Sequence, residues 1–235
     1  SGLLSNPMAA RYTCQAVTAP ESPTRRAPLT KERVLDAAIE LADRRGLGAL
    51  TMRRLGATLG VEAMSLYKHV ANKEALLEGM VDRVIGTIAV PKEGADWRDA
   101  MRQRAASARA VLGRHAWVIG LLEAGATPGP NAMRYLNAVI GSLRAAGFSL
   151  EDADRAFMLL DSYVYGHVIQ ERHLPFAPPE ASAQAAAAIA QEALRAFPHL
   201  AAMYAHAQTY PRSLDDEFAF GLEVVLDGLE RLRAR

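Results

Sequence analysis

From Thr30 onward the apolar positions follow the spacing of a helix that buries one face, with Val34, Ala37, Ala38, Leu41 and Ala42 on a single stripe. Thr30 is placed to cap that helix, and Gly46, after Arg44 and Arg45, to end it. A second helix starts at Thr51, carries Leu55 and Leu59 one turn apart, and stops at Gly60. A third short segment covers roughly residues 62–68. Asn72 then caps a longer helix whose stripe is Leu77, Met80, Val81, Val84 and Ile88. Four helices, two of them very short, therefore follow one another between residues 30 and 88.

Farther along, longer amphipathic segments alternate with Gly/Pro breaks at 91–96, 125–130, Gly147, 174–179, Pro198 and Pro211. Ser149 with Asp152, and Ser213 with Asp216, each carry the S-x-x-D pattern of a helix start. The Ala-rich stretch 181–196 reads as a helix, because alanine is the best helix former. Two stripes stand out: Phe157, Leu160, Val164 and Val168, and Phe218, Leu222, Val225, Leu226, Leu229 and Leu232. Either a second copy covers them or one chain buries both. Residues 1–28 contain four prolines and no sustained apolar period, so they read as a flexible arm. Arg11, Arg25 and Arg26 are its cations.

Composition agrees with a helical reading. The chain has 235 residues, 50% hydrophobic and only 6% aromatic, and is rich in Ala, Leu and Arg, which favours helices over sheets. The expected fold class is all-α, in one or two domains. With 27 Lys+Arg against 26 Asp+Glu the net charge is +1, so any footprint for a polyanion must be local. The single cysteine, Cys14, cannot form an intrachain disulfide and fits a reducing compartment. No apolar run approaches the ~18 residues that would span a bilayer. A cytoplasmic protein without a membrane partner is expected.

Such a local footprint lies between residues 51 and 73. A helix-turn-helix needs apolar residues where two short helices face each other, a tiny residue where they cross, and a residue tolerant of positive φ in the turn. Leu55, Leu59, Val61 and Leu66 meet the first need, Gly56 the second and Gly60 the third. An ordinary αα-corner uses the same geometry, but charge separates the two readings. Arg53, Arg54, Lys68 and Lys73 face a single acidic residue, Glu62, which leaves 4 − 1 = +3 in a nearly neutral chain. The second short helix would project Ala63, Met64, Ser65, Tyr67, Lys68 and His69, a set suited to thymine methyls, base edges and phosphates.

Catalytic signatures are missing from the sequence: there is no G-x-x-x-x-G-K-[ST], G-x-S-x-G, H-E-x-x-H or paired E-x-x-H. His167 and Glu171 lie one turn apart with His173 near, which reads as a polar cluster at a helix end. No enzyme activity, cofactor or metal is expected. A helical module that binds proteins or small molecules without DNA is the alternative, and the cationic short helix before Asn72 and Lys73 argues against it.

Residues 29–86, and above all LGVEAMSLYKHVANKEALL, closely resemble the DNA-binding domain of the TetR (tetracycline-repressor) family of bacterial transcription regulators. More weakly, DWRDAMRQRA, GFSLEDADRAFMLLDSYVYGHVIQE and FAFGLEVVLDGLERL are similar to the C-terminal domain of the subgroup that contains the tetracycline repressor. The resemblance implies a three-helix DNA-binding domain at 29–80, joined by a connecting helix to an effector-binding and dimerisation domain at 81–235. It implies a homodimeric regulator, a repressor released from a palindromic operator by a small-molecule effector. Tyr67, His69 and Lys73 would contact phosphates; Arg53, Ala63, Met64, Ser65 and Lys68 would face bases, with Thr51 in the same DNA-binding set. Phe157, Leu160, Val164, Val168, Phe218, Leu222, Val225 and Leu229 would supply the dimer bundle. Met101, Trp117, Met133, Asn137, Met158, Tyr163 and His167 would line the effector pocket. Ala63 and Met64 replace the polar or proline residues of tetracycline-responsive members, which implies a different operator. Val118 stands where their metal-binding histidine would sit, which argues against a tetracycline–magnesium ligand.

Overall fold

The computed structural model describes residues 28–92, 94–173, 196–209 and 213–234. The arm expected over 1–28, Pro28 apart, and the helix expected over 181–196, Ala196 apart, lie outside the described residues.

Helices begin where a side-chain oxygen is available to take up an early backbone N–H. Thr30 accepts from Arg33 N at 3.2 Å, Thr51 from Arg54 N at 3.1 Å and Asn72 from Ala75 N at 2.7 Å. Ser149 accepts from Asp152 N at 3.0 Å and Ser213 from Asp216 N at 3.2 Å. The first four helices are α1 (Lys31–Arg45), α2 (Met52–Leu59), α3 (Ala63–Leu66) and α4 (Lys73–Ile85). Then follow α5 (Trp97–Arg114), α6 (Trp117–Glu123), α7 (Pro130–Ala145) and α8 (Leu150–His173). The last two are α9 (Pro198–Thr209) and α10 (Leu214–Arg233). Among the described residues there is no strand. Two boundaries differ from expectation. The third segment is helical only to Leu66, and α4 stops at Ile85, so Ile88 is buried from the turn that follows.

Two hydrophobic cores result. Val34, Leu35, Ala38 and Leu41 of α1 pack with Leu55, Leu66, Leu76 and Met80 in the first. The second joins Val81, Val84 and Ile85 of α4 to Met101 and Leu112 of α5, Val139 and Leu143 of α7, and the inner faces of α8 and α10. This corrects the dimer assignment for six of its eight residues. Leu160, Val164, Val168, Phe218, Leu222 and Leu229 are buried inside one chain, and Phe157 and Val225 are half-buried against the same core. Periodicity identifies an apolar stripe but not which chain covers it; here the helices of the same chain do. The apolar side chains left exposed on these helices are Met158, Leu159 and Ile169 on α8, and Phe220 and Val224 on α10.

Polar contacts then tie the elements together. The Asp82 carboxylate of α4 accepts from Asn131 N, Asn131 Nδ2 and Ala132 N, each at 2.9 Å, and so caps α7 from a distance. Gly129, at the N-cap position of α7, offers no side chain of its own, and a Cβ there would overlap Asp82. Arg83 grips Asp36 of α1 through two bonds, at 2.5 and 2.8 Å. On the far side Arg102 and Arg98 of α5 hold Glu223 of α10, and the Arg102 hydrogen bonds above all lower its carboxyl to about 2. In the second core Arg104 pairs with Asp161 and donates to the Tyr135 hydroxyl at 2.6 Å.

Two predictions follow from these ties. Asp82→Ala removes the cap and is expected to destabilise by about 1–2 kcal/mol. Gly129→Ala should destabilise in the native background but cost little in Asp82→Ala, a coupling that a double-mutant cycle of urea midpoints will read. Glu223 is two-fifths exposed, so its clamp contributes at most about 1 kcal/mol. Because its folded-state pKa lies below the ordinary value of 4.5, that contribution is present at neutral pH and fades as pH falls from 4.5 toward about 2. The urea-midpoint gap between native protein and Glu223→Gln should therefore be larger at pH 7 than at pH 3.

Candidate nucleic-acid interface

The interface is built on the crossing of α2 and α3. A Cβ on Gly56 would lie 2.8 Å from the Val61 carbonyl oxygen and 3.1 Å from Ala63 N, so only glycine lets the two backbones approach. Gly60 ends α2 in the left-handed conformation at φ 68°, and Val61 N closes back on Gly56 O at 2.9 Å. Leu55 and Leu66, both fully buried, hold the pair onto α1 and α4. After α3 the chain turns through His69 N to Leu66 O and Val70 N to Leu66 O, which buries Val70 and delivers Asn72 to cap α4. Turn, short helix and the start of α4 thus form one rigid surface.

That surface carries most of the residues read from the sequence. Met64 is 72% exposed and Tyr67 43% exposed, and Arg53, Lys68 and Lys73 are exposed beside them. Ala63, Ser65 and His69 are half-buried at its edge. Thr51 is exposed, but its hydroxyl already serves as the α2 cap. Arg54 turns away and donates to Ala49 O at 2.9 Å, bracing the turn before α2. Among the described residues, Arg53, Lys68 and Lys73 have no carboxylate within 4.0 Å. Several arginines elsewhere are paired: Arg44 with Glu40, Arg83 with Asp36, Arg109 with Glu171. Unpaired cations on an exposed, rigidly held face, one at the positive end of α4, are the arrangement that binds phosphates.

Residues 34–80 match the family described as bacterial regulatory proteins, tetR family, and residues 90–233 match the tetracyclin repressor-like C-terminal domain. The chain belongs to the TetR family. It is 33% identical over 219 residues to the HTH-type transcriptional repressor DrrR1 of Streptomyces coeruleorubidus, covering 88% of this chain and 79% of that protein. Among solved structures it is similar to ActR of Streptomyces coelicolor in complex with (S)-DNPA, at TM-score 0.68 and 27% identity, over 86% of this chain and 98% of that one. BioQ with its natural double-stranded DNA operator matches at TM-score 0.57 and 25% identity, over 86% and 98% of the two chains. This TetR-family chain is a DNA-binding transcriptional regulator. Among its described residues no helix is long and apolar enough to cross a membrane.

The residues read as effector-lining are not gathered in this TetR-family structure. Met101 is buried in the second core, while Met133 and Met158 are more than half exposed. Tyr163 stacks on Phe218 with ring centroids 5.4 Å apart and donates its hydroxyl to Phe218 O at 2.7 Å. His167 packs edge-on to the same ring and sets Nε2 3.2 Å from Glu171, which Arg109 also holds. Trp117 and Asn137 line two different cavities. Side-chain type identified these residues, whereas their directions depend on helix rotations that periodicity leaves open. Val118 is fully buried and carries no ligating atom.

Two long-range contacts carried no sequence signal. Asp43 of α1 accepts from Trp117 Nε1 at 2.7 Å and lies 2.9 Å from His115 Nδ1, and Asp82 caps α7. Both partners sit tens of residues away. At the interface itself, Gly56→Ala should cost about 1–3 kcal/mol through overpacking and abolish DNA binding. Gly48→Ala, where a Cβ meets nothing within 4 Å, should stay within about 0.5 kcal/mol. Thermal melts paired with gel-shift titrations compare the two.

Proposed function

We propose that this protein is a repressor that binds a palindromic operator as a homodimer and lets go when a small molecule binds its C-terminal domain. The observation that carries the reading is the exposed, unpaired set Arg53, Lys68 and Lys73 around Tyr67. In this reading residues 29–80 form the DNA-binding domain and residues 81–235 the dimerisation and effector domain. Tyr67, His69 and Lys73 hold phosphates, which fixes register, while Arg53, Met64, Ser65 and Lys68 reach base edges. Two copies would set their α3 helices in successive major grooves, about 34 Å apart, which demands a palindrome. Homodimerisation is supported by the exposed apolar side chains Met158, Leu159, Phe220 and Val224 on α8 and α10. DrrR1 is named a repressor, ActR is seen with a small molecule and BioQ with DNA. The chain acts by binding, with no catalytic step, and works in the cytoplasm, where the operator is.

The test is fluorescence anisotropy on duplexes selected from random DNA, run across a salt series. A palindromic winner with a steep salt dependence is expected. Lys73→Ala should weaken all duplexes alike and reduce the salt slope by about 1 per half-site. Arg53→Ala should cost about 1–3 kcal/mol per half-site and relax preference at one base pair. No enrichment above random duplex would overturn the reading.

A further inference from the structure

A cavity of about 520 Å³ lies on the seam between the two cores, inside the ~300–1,000 Å³ range of small-molecule sites. Both units wall it: Asp43 of α1 faces Arg114 at the end of α5, Trp117 and Glu123 of α6, and Val168 and Arg172 of α8. Trp117 packs against both cores, and its indole N–H is donated to Asp43, so the ring is held in the wall and Asp43 is already engaged. Arg114 and Arg172 are different. Among the described residues neither has a carboxylate within 4.0 Å, although Arg98, Arg102, Arg104 and Arg109 of α5 are all paired. An indole and a valine offer a flat apolar wall, and two guanidinium groups offer donors in the forked geometry that matches a carboxylate. Glu123, exposed at the far end of α6, supplies an acceptor for a hydroxyl.

From this arrangement we infer that the seam cavity binds a hydroxylated aromatic carboxylic acid, with its carboxylate on Arg114 and Arg172 and its ring against Trp117 and Val168. A ligand there touches α1 of the DNA-binding unit and α6 and α8 of the other unit at once. It therefore binds one relative placement of the two better than another and shifts their equilibrium. By linkage, operator affinity changes by the same factor as ligand affinity. That consequence rests on the repressor reading above; binding of the acid does not.

Isothermal titration of the full chain without DNA, with 3-hydroxy-2-naphthoate as the probe, tests the site. Saturable binding is expected, weakened at least tenfold in the double variant Arg114→Gln, Arg172→Gln and at least tenfold weaker for the uncharged 2-naphthol. Both arginines are exposed, so an unchanged thermal melt will show that the variant is folded. Absence of saturable binding, equal binding by the variant, or equal binding of 2-naphthol would each overturn the site. Saturating naphthoate should then change operator affinity at least fivefold in the native protein and not in the variant. Arginine-dependent binding that leaves operator affinity unmoved would support the site and count against the coupling. Failure to select any operator would count against the repressor reading alone.

Discussion

The structure depends on one helix belonging to two cores. Leu76 and Met80 of α4 are packed in the DNA-binding unit, and Val81, Val84 and Ile85, on the next turn and a half, are packed in the other. Tightly packed interiors transmit displacement instead of absorbing it. The N-terminus of α4 carries Lys73 to the DNA face, and its C-terminal half carries Asp82 to the start of α7 and Arg83 to Asp36. Whatever moves α7 or the second core therefore moves Lys73 and the recognition surface with it. A two-state response needs such a shared rigid element, because a ligand biases an equilibrium only through contacts that differ between its states.

The recognition surface itself is held by backbone proximity more than by side-chain grip. α3 is a single turn, too short to be stable alone, and it persists because Gly56 brings α2 against it and Leu66 is sealed in the core. With shape fixed in this way, exposed side chains are free to serve DNA: nothing in the packing requires Met64, Tyr67 or Lys68 to be what they are. Charge follows the same division. Arginines such as Arg83, Arg102 and Arg109 are held by carboxylates, whereas Arg53 on the recognition face is left for phosphates or bases.

Local features were legible in the sequence and distant ones were not. The caps at Thr30, Thr51 and Asn72 and the turn at Gly60 depend on residues three or four positions apart, so spacing alone reveals them. The same holds for the cationic face at 51–73. The stripes on α8 and α10 were legible as stripes, yet their burial within one chain depends on α5, about sixty residues from α8 and more than a hundred from α10. Gly129 read only as part of the break at 125–130, and the fold shows that it and Asp82 explain each other. Arg104 is a further case, a buried arginine whose partners Asp161 and Tyr135 come from two other helices.

The central claim is that DNA is held by the surface between Thr51 and Lys73 while the second core stays away from it. Hydrogen exchange followed by mass spectrometry, with and without the selected operator, tests this most directly. The account predicts that operator binding slows exchange across α2, α3 and the first turn of α4, and leaves the amides of α5 and the outer face of α8 unaffected. Protection concentrated on α5 to α8, with residues 51–75 unchanged, would contradict it.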